Sequence, residues 1–502
     1  MTHKRFVIVG GGTAGWLAAL MLQASLAHQK IDAKVTVVES SKIPTIGVGE
    51  GTTAVFRQML QHFGFDEFEF LRETQATIKY GIRHKDWRRV GHHYDGPIDD
   101  PHLVLGEPRE QTPSYVDIYS CAAGKPLADT HLFAYLLDQQ KAPVARKADG
   151  GLIAVGPYHH AYHFDQALAG QYLKRKSKGV EIVDAQVSGV QRDGVSGDIT
   201  ALVTDAGEIV GDFFIDCTGF RRALIGEAMG GQWISYGNVL PLNRAMPFWL
   251  DIKEGEELTP FTTAWAQKNG WLWMIPTQGR IGCGYVYSDA HTTPDKAKAE
   301  IEAALGHKIE PRNDIKIDAG RLKDAWIGNC LSLGLASSFL EPLEATSIHG
   351  TIVQMMVFTT FHLQKLNNRE AYNQFAARQV DDFRDFINLH YVSERRDTGF
   401  WKSVAADYIS PATKSRLHLW ENKMPSHDDF TPLPGGFAHT EQQLYYPVLD
   451  GLGLLNRRAA QKHMELNPEQ KAKGKAAATA LTAEYQAVAP RALKHREFLQ
   501  SL

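Results

Sequence analysis

Two short stretches, far apart in the chain, carry residue types that can do chemistry. Lys79 stands in Ala76-Thr77-Ile78-Lys79-Tyr80-Gly81-Ile82, where positions alternate in the manner of a strand. That alternation turns the ammonium away from the apolar face. A lysine partly withdrawn from water has a lowered pKa, so it can serve as a proton donor or as a neutral amine. An ordinary surface lysine would instead lay its stem along the fold and keep its charge in solvent. The second stretch is Gly270-Trp271-Leu272-Trp273-Met274-Ile275-Pro276, which in isolation reads as a Trp-containing core strand.

The elements that must position these groups begin at the N-terminus. Phe6-Val7-Ile8-Val9 reads as a buried strand, followed by Gly10-Gly11-Gly12-Thr13-Ala14-Gly15-Trp16, a helical run from Leu17 to Leu26, and a second strand, Lys34 to Glu39. This is a βαβ unit with a G-x-G-x-x-G turn. Gly10, Gly12 and Gly15, with Thr13 and Ala14, let backbone N–H groups approach a pyrophosphate at the positive end of a helix. Glu39 closes the second strand, where an acid accepts from ribose hydroxyls. Two further buried strands are expected at Gly211–Gly219 and Gly328–Leu335. Tyr162-His163-Phe164-Asp165 is expected to open a helix running to Ser177. Val180–Val190 reads as one strand, Ile352–Tyr391 as largely helical, and 424–448 as a long loop, a length that in compact domains often signals function.

The bulk numbers narrow the field. A chain of 502 residues, 43% hydrophobic, is long enough for more than one core. A net charge of −3 points to no polyanionic partner, so no nucleic acid is expected. Cys121, Cys217, Cys283 and Cys330 fit neither a zinc site nor a disulfide framework, and no metal is expected. Free thiols suit a reducing cytoplasm, the expected location. No run of eighteen apolar residues exists to span a membrane. The glycines inside the first apolar run argue for strand and turn rather than a signal peptide.

With these segments in place, the chain resembles the flavin-dependent halogenases of the tryptophan-halogenase family over almost its whole length. The resemblance rests on Gly10–Trp16, on Ile43-Pro44-Thr45-Ile46-Gly47-Val48-Gly49-Glu50-Gly51-Thr52, on Lys79, on Gly270–Pro276 and on Phe339-Leu340-Glu341-Pro342-Leu343-Glu344. It implies an α/β fold: a Rossmann-like FAD module of the flavin monooxygenase superfamily, made of residues 1–60, 160–235 and 320–360. Residues 61–159 and 236–319 would form inserted sheet regions, and 361–502 a mainly helical substrate side. It implies that FADH2 from a separate flavin reductase reacts with O2 and that chloride or bromide is oxidised to hypohalous acid. This acid would pass to Lys79 and then to the electron-rich ring of a small aromatic substrate, indole or a derivative such as tryptophan. In substrate the chain resembles the indole-brominating members, and a homodimer is compatible with the family.

The same resemblance assigns roles. Glu344 matches the active-site glutamate that polarises the halogen donor or accepts the ring proton, with Glu341 ranked behind it. On its own, Glu344 reads as a helix-start carboxylate. Thr346 and Ser347 align with the residues whose N–H groups hold halide, a sound use of a helix start. The family commonly has Glu-Ser-Thr-Gly where this chain has Glu344-Ala345-Thr346-Ser347, which leaves halide preference open. Lys42, Gly49, Gly51, Val187, Leu335 and Ile348 join the cofactor site. Trp271 and Trp273 would lie near the flavin without doing chemistry. For the substrate, His92, His93, Tyr445 and Tyr446 are candidates. Two other readings compete. One is a single-component aromatic hydroxylase using NAD(P)H, against which stands the lack of a second G-x-G-x-x-G turn. The other is a non-catalytic flavin binder, disfavoured by the coexistence of Lys79 and Glu344.

Overall fold

The computed structural model describes residues 4–43, 49–99, 114–155, 159–364, 368–430 and 442–502. At its centre is a six-stranded sheet ordered Glu181–Asp184, Lys34–Glu39, Arg5–Val9, Phe213–Asp216, Cys330–Ser332, Trp326–Ile327. The first five strands run parallel, and the edge strand Trp326–Ile327 returns antiparallel. Phe6, Val7, Ile8 and Val9 are all buried, as expected for a central strand covered on both faces. The helix Thr13–His28 follows the glycine turn and packs on one of those faces.

A second sheet has seven strands, ordered Ile315–Lys316, Arg244–Leu250, Ile281–Tyr287, Gly270–Pro276, Thr262–Ala266, Gly81–Lys85, His93–Pro97. The strand Gly270–Pro276 runs antiparallel to both neighbours and places Trp273 opposite Gly284. A Cβ at Gly284 would stand 2.0 Å from the Trp273 ring, so only glycine fits beneath that indole.

The third sheet is small and bears on function. Its strands Gly49–Gly51 and Thr77–Lys79 both pair antiparallel with Ala161–Asp165. Beyond residue 346 the described chain is helical, with long helices at Arg369–His390 and Pro468–Val488. Helices also occupy Tyr115–Ala122 and Leu132–Asp138, within the region expected to be sheet. Among the described residues no helix is long and apolar enough to cross a membrane.

Three local expectations change. Tyr162, His163 and Phe164 lie in the strand Ala161–Asp165, not in a helix, because all three are buried between two strand partners. Asp165 caps the helix Gln166–Lys176 by accepting from Ala167 N (3.0 Å) and Leu168 N (3.2 Å). Val180–Val190 splits into Glu181–Asp184 in the central sheet and Val187–Arg192 in a separate three-stranded sheet. The stretch 424–448 is not one long loop. Residues 431–441 fall outside the described part, and Gln442–Leu452 is a helix despite Pro447. Its apolar face, Tyr445, Val448, Leu449 and Leu452, is buried at helical spacing, which outweighs the turn-like Tyr-Tyr-Pro composition.

Candidate active site

The glycine turn passes a direct test of its fit to a dinucleotide. Gly10 has φ +117° and its Cβ would meet the Cys217 carbonyl oxygen at 2.3 Å; that of Gly15 would meet the Gly10 carbonyl oxygen at 1.9 Å. Gly12, by contrast, faces open space, with nothing within 4 Å of where a Cβ would stand. No side chain caps the helix that starts at Thr13, and the buried Thr13 hydroxyl has no hydrogen-bond partner. Bare backbone beside an uncapped helix start and an orphaned hydroxyl suits a pyrophosphate. Glu39 lies against the turn, where a Cβ on Gly11 would collide with its carboxylate, and Lys174 pairs with it. Ala14 sits in the first helical turn, under Gly334. The residues therefore fit the FAD that the fold implies.

A cavity of about 220 Å³ has Lys79 on its wall. Gly49, Gly51, Lys79, Trp273, Leu335, Thr346 and Ser347 all line it. So do residues that sequence reasoning missed, notably Glu50, Thr262, Phe220 and Phe339. Glu50 was visible only as the acid within Gly49-Glu50-Gly51. Burial raises its carboxyl to about 7, and Glu50 Oε2 has no hydrogen-bond partner.

Lys79 is not a surface lysine. Its side chain is 1% exposed, and Nζ donates to the Thr52 carbonyl oxygen at 2.9 Å. Burial pushes its pKa down to about 8, opposed by the negative charge of Glu344. Its strand is anchored by a polar chain. Thr77 Oγ1 donates to the Pro276 carbonyl oxygen at 2.7 Å, so it accepts from His163 Nδ1 at 3.2 Å. His163 Nε2 is then the acceptor for Thr262 Oγ1 at 2.9 Å, which fixes the neutral tautomer. Burial, with Lys79 adding to it, holds His163 well below the usual histidine range. The last residue of the Trp stretch thus holds the strand that carries the lysine.

Glu344 ends the short turn Pro342–Glu344. Two buried imidazoles approach its Oε1, His390 Nε2 at 3.0 Å and His84 Nε2 at 3.3 Å. Burial pushes this carboxyl up, and the two imidazoles more than reverse that, leaving it well below the usual carboxylate range. Ala345 follows in the left-handed region, at φ 54° and ψ 38°. A non-glycine residue there costs about 1–2 kcal/mol, a strain typical of functional sites. The left-handed residue is Ala345, and Ser347 lies inside the helix Thr346–Val357, where its Cβ costs nothing. No side chain caps that helix, so its first N–H groups stand free beside the cavity wall formed by Thr346 and Ser347.

The two acids differ sharply. Glu341 is fully buried, and neither it nor Glu344 is among the residues that line the cavity, although Ala345, next to Glu344, is. Glu341 Oε2 accepts from the Trp271 indole N–H at 3.0 Å and the Tyr391 hydroxyl at 2.5 Å. Trp271 is therefore a clasp between the Trp strand and the Glu341–Glu344 turn, whereas Trp273 faces the cavity.

Other expected residues lie elsewhere. Lys42 pairs with Asp205 at 2.6 Å on the surface. Ile348 is buried in the helix behind the cavity, and Val187 in the core beside the first strand. His92 sits among Arg88, Arg89 and His93, away from the cavity. Tyr445 packs on Phe386 and Phe430 and accepts from Arg416 at 2.7 Å, while the Tyr446 hydroxyl donates to the Pro425 carbonyl oxygen at 2.5 Å.

A glycine turn that fits a dinucleotide, in a chain that also buries a lysine on a cavity wall, points to a flavoprotein with an amine in its candidate site. Comparison with known proteins places it further. The profile of the tryptophan halogenase family matches residues 5–465, and the chain belongs to that family. It is 32% identical over 480 residues to the tryptophan 6-halogenase of Streptomyces toxytricini, covering 90% of each chain. It is 33% identical over 487 residues to the tryptophan 7-halogenase of Lentzea aerocolonigenes, again covering 90% of each. The crystal structure of the Streptomyces toxytricini enzyme superposes with a TM-score of 0.84 at 30% identity, covering 99% of this chain and 100% of that one. A flavin-dependent halogenase from Brevundimonas sp. BAL3 gives 0.81 at 31% identity, covering 100% and 99%. The protein is a flavin-dependent halogenase that acts on an electron-rich aromatic ring.

Proposed function

We propose that this enzyme halogenates an indole-type ring, free indole or a derivative such as tryptophan, and that Lys79 and Glu344 carry the transfer. The observation that supports this best is Lys79 itself: a fully buried amine, lowered to about 8, on the wall of a cavity that Leu335, Thr346 and Ser347 also line. Relatives are tryptophan halogenases by name, and one structural neighbour is a chlorinase. Chloride or bromide would rest on the free N–H groups at Thr346 and Ser347.

Bound reduced flavin, supplied by a separate reductase, would provide with O2 the two-electron oxidation of halide to hypohalous acid. The Lys79 ammonium donates a hydrogen bond to the oxygen of that acid. The ring carbon forms its bond to halogen as the O–X bond breaks, and the departing hydroxide takes the lysine proton and leaves as water. The Glu344 carboxylate accepts the proton lost from the ring. The turn, small sheet and cavity wall draw on two of the three proposed regions, 1–60 with 160–235 and 320–360, and 61–159 with 236–319, while the third, 361–502, brings His390 to Glu344.

The decisive test supplies FAD, a flavin reductase, NADH and either halide, with indole or tryptophan, and reads products by mass spectrometry. A halogenated indole ring is expected, and hydroxylated product alone would overturn the reading. A pH profile separates the two roles open to the lysine. Acting as an ammonium, Lys79 supports a single-turnover transfer rate that is flat below about pH 8 and falls about tenfold per unit above it. A rate that climbs through pH 8 would instead mean that the neutral amine captures the halogen.

A further inference from the structure

His84, Glu344 and His390 come from three remote parts of the chain and place three donor atoms together. His84 and His390 have fully buried side chains. His390 Nε2 lies 3.0 Å and His84 Nε2 3.3 Å from Glu344 Oε1. At such separations hydrogen bonds are the ordinary expectation. Yet in geometry neither contact qualifies as a hydrogen bond, and each stands as a close electrostatic pairing of imidazole and carboxylate. The atoms are close without being aimed at one another.

Ligands of a metal ion behave this way, because each points at a shared fourth position. With bonds of about 2.0–2.1 Å and angles between octahedral and tetrahedral, ligand atoms stand roughly 2.9–3.4 Å apart. Both observed separations fall in that interval. The outer nitrogen of one ring is also held. His390 Nδ1 meets the Tyr94 hydroxyl at 2.9 Å, the kind of contact that orients a ligating imidazole and presents its Nε2. The three donor atoms all lie within 4.8 Å of one another.

We propose that His84, Glu344 and His390 form a binding site for a divalent transition-metal ion of the Zn2+ type. Two imidazoles and one carboxylate suit that class, with water completing the coordination, and discriminate against Mg2+ and Ca2+, which take oxygen ligands. Its consequence for activity rests on the reading of Glu344 as the proton acceptor. A cation on Oε1 occupies the atom that would receive the ring proton, so Zn2+ stops halogen transfer while flavin reoxidation continues.

The test uses the full-length protein after treatment with a chelator. Zn2+ is titrated in by calorimetry, with Mg2+ as control, for the wild type and for His84→Phe and His84→Gln. Circular dichroism checks that each variant is folded. The expected result is one saturable equivalent of Zn2+, no Mg2+ binding, and a loss of affinity of at least about tenfold in both variants. Absence of Zn2+ binding by the wild type overturns the site. So does binding that both folded variants retain unchanged, since most of the chain's 21 histidines lie outside the site. Halogenation is measured on the same samples. If Zn2+ binds in a His84-dependent manner and halogenation persists, the site stands and the role given to Glu344 falls.

Discussion

Lys79→Ala abolishes arene halogenation, with a fall of about 10²–10⁴-fold or more, while FADH2 is still reoxidised by O2. The variant loses the one buried amine that the cavity presents to its contents, and the cofactor turn is untouched. It also keeps its fold. Folding lowers the pKa of this amine to about 8, so between about pH 8 and 10.4 the unfolded chain binds more protons and stability rises with pH. Below that window the confined ammonium opposes folding, and its removal leaves only the Thr52 carbonyl without a donor. Lys79→Met, which preserves volume, separates loss of the amine from loss of packing. Product formation by both variants, alongside the wild type with a shared reductase, checks the expectation; halogenation retained in both would mean that another residue relays the halogen.

Glu344→Gln has the second largest effect. Glutamine keeps the shape and an accepting oxygen but cannot take up the ring proton, and the expected loss is again about 10²–10⁴-fold in product formation. Here the oxidised halogen is still made. A thiol trap in the assay should therefore collect hypohalous acid from Glu344→Gln at the rate at which the wild type forms product. Unchanged product formation would return Glu344 to the status of a helix-start carboxylate.

Some of this was legible in the sequence because it is local. The glycine turn, its strand and its helix lie within forty residues, and Gly10 and Gly15 each answer to a close backbone contact. Lys79 was legible for its type and its setting, although sequence alone left its depth open between a snorkelling stem and full burial. What could not be read was any pairing made across the fold. The indole of Trp271 finds Glu341 70 positions away, and that pairing turned a second candidate acid into a clasp. The imidazoles that flank Glu344 stand at positions 84 and 390, with no spacing to announce them. Composition misled where burial decided the matter. Tyr445 and Tyr446 carry the polar tips expected of a substrate clamp, yet both hydroxyls are spent on the protein itself, on Arg416 and on Pro425. Phe220 and Thr262 reach the cavity from separate parts of the chain, and nothing in their neighbourhoods marks them out, while Phe339 stands in a stretch that carries the resemblance without its type assigning it a role.

Gly51 has one more meaning. Where its Cβ would be, the Lys79 nitrogen stands at 3.3 Å and Thr262 Oγ1 at 3.4 Å. The amine thus owes its elbow room to an atom that is missing from its neighbour. A single methyl group there would crowd the nitrogen, which would have to give by a few tenths of an ångström, without altering any charged residue. The sharpest control over how this lysine reacts is therefore held by a position that has no side chain at all.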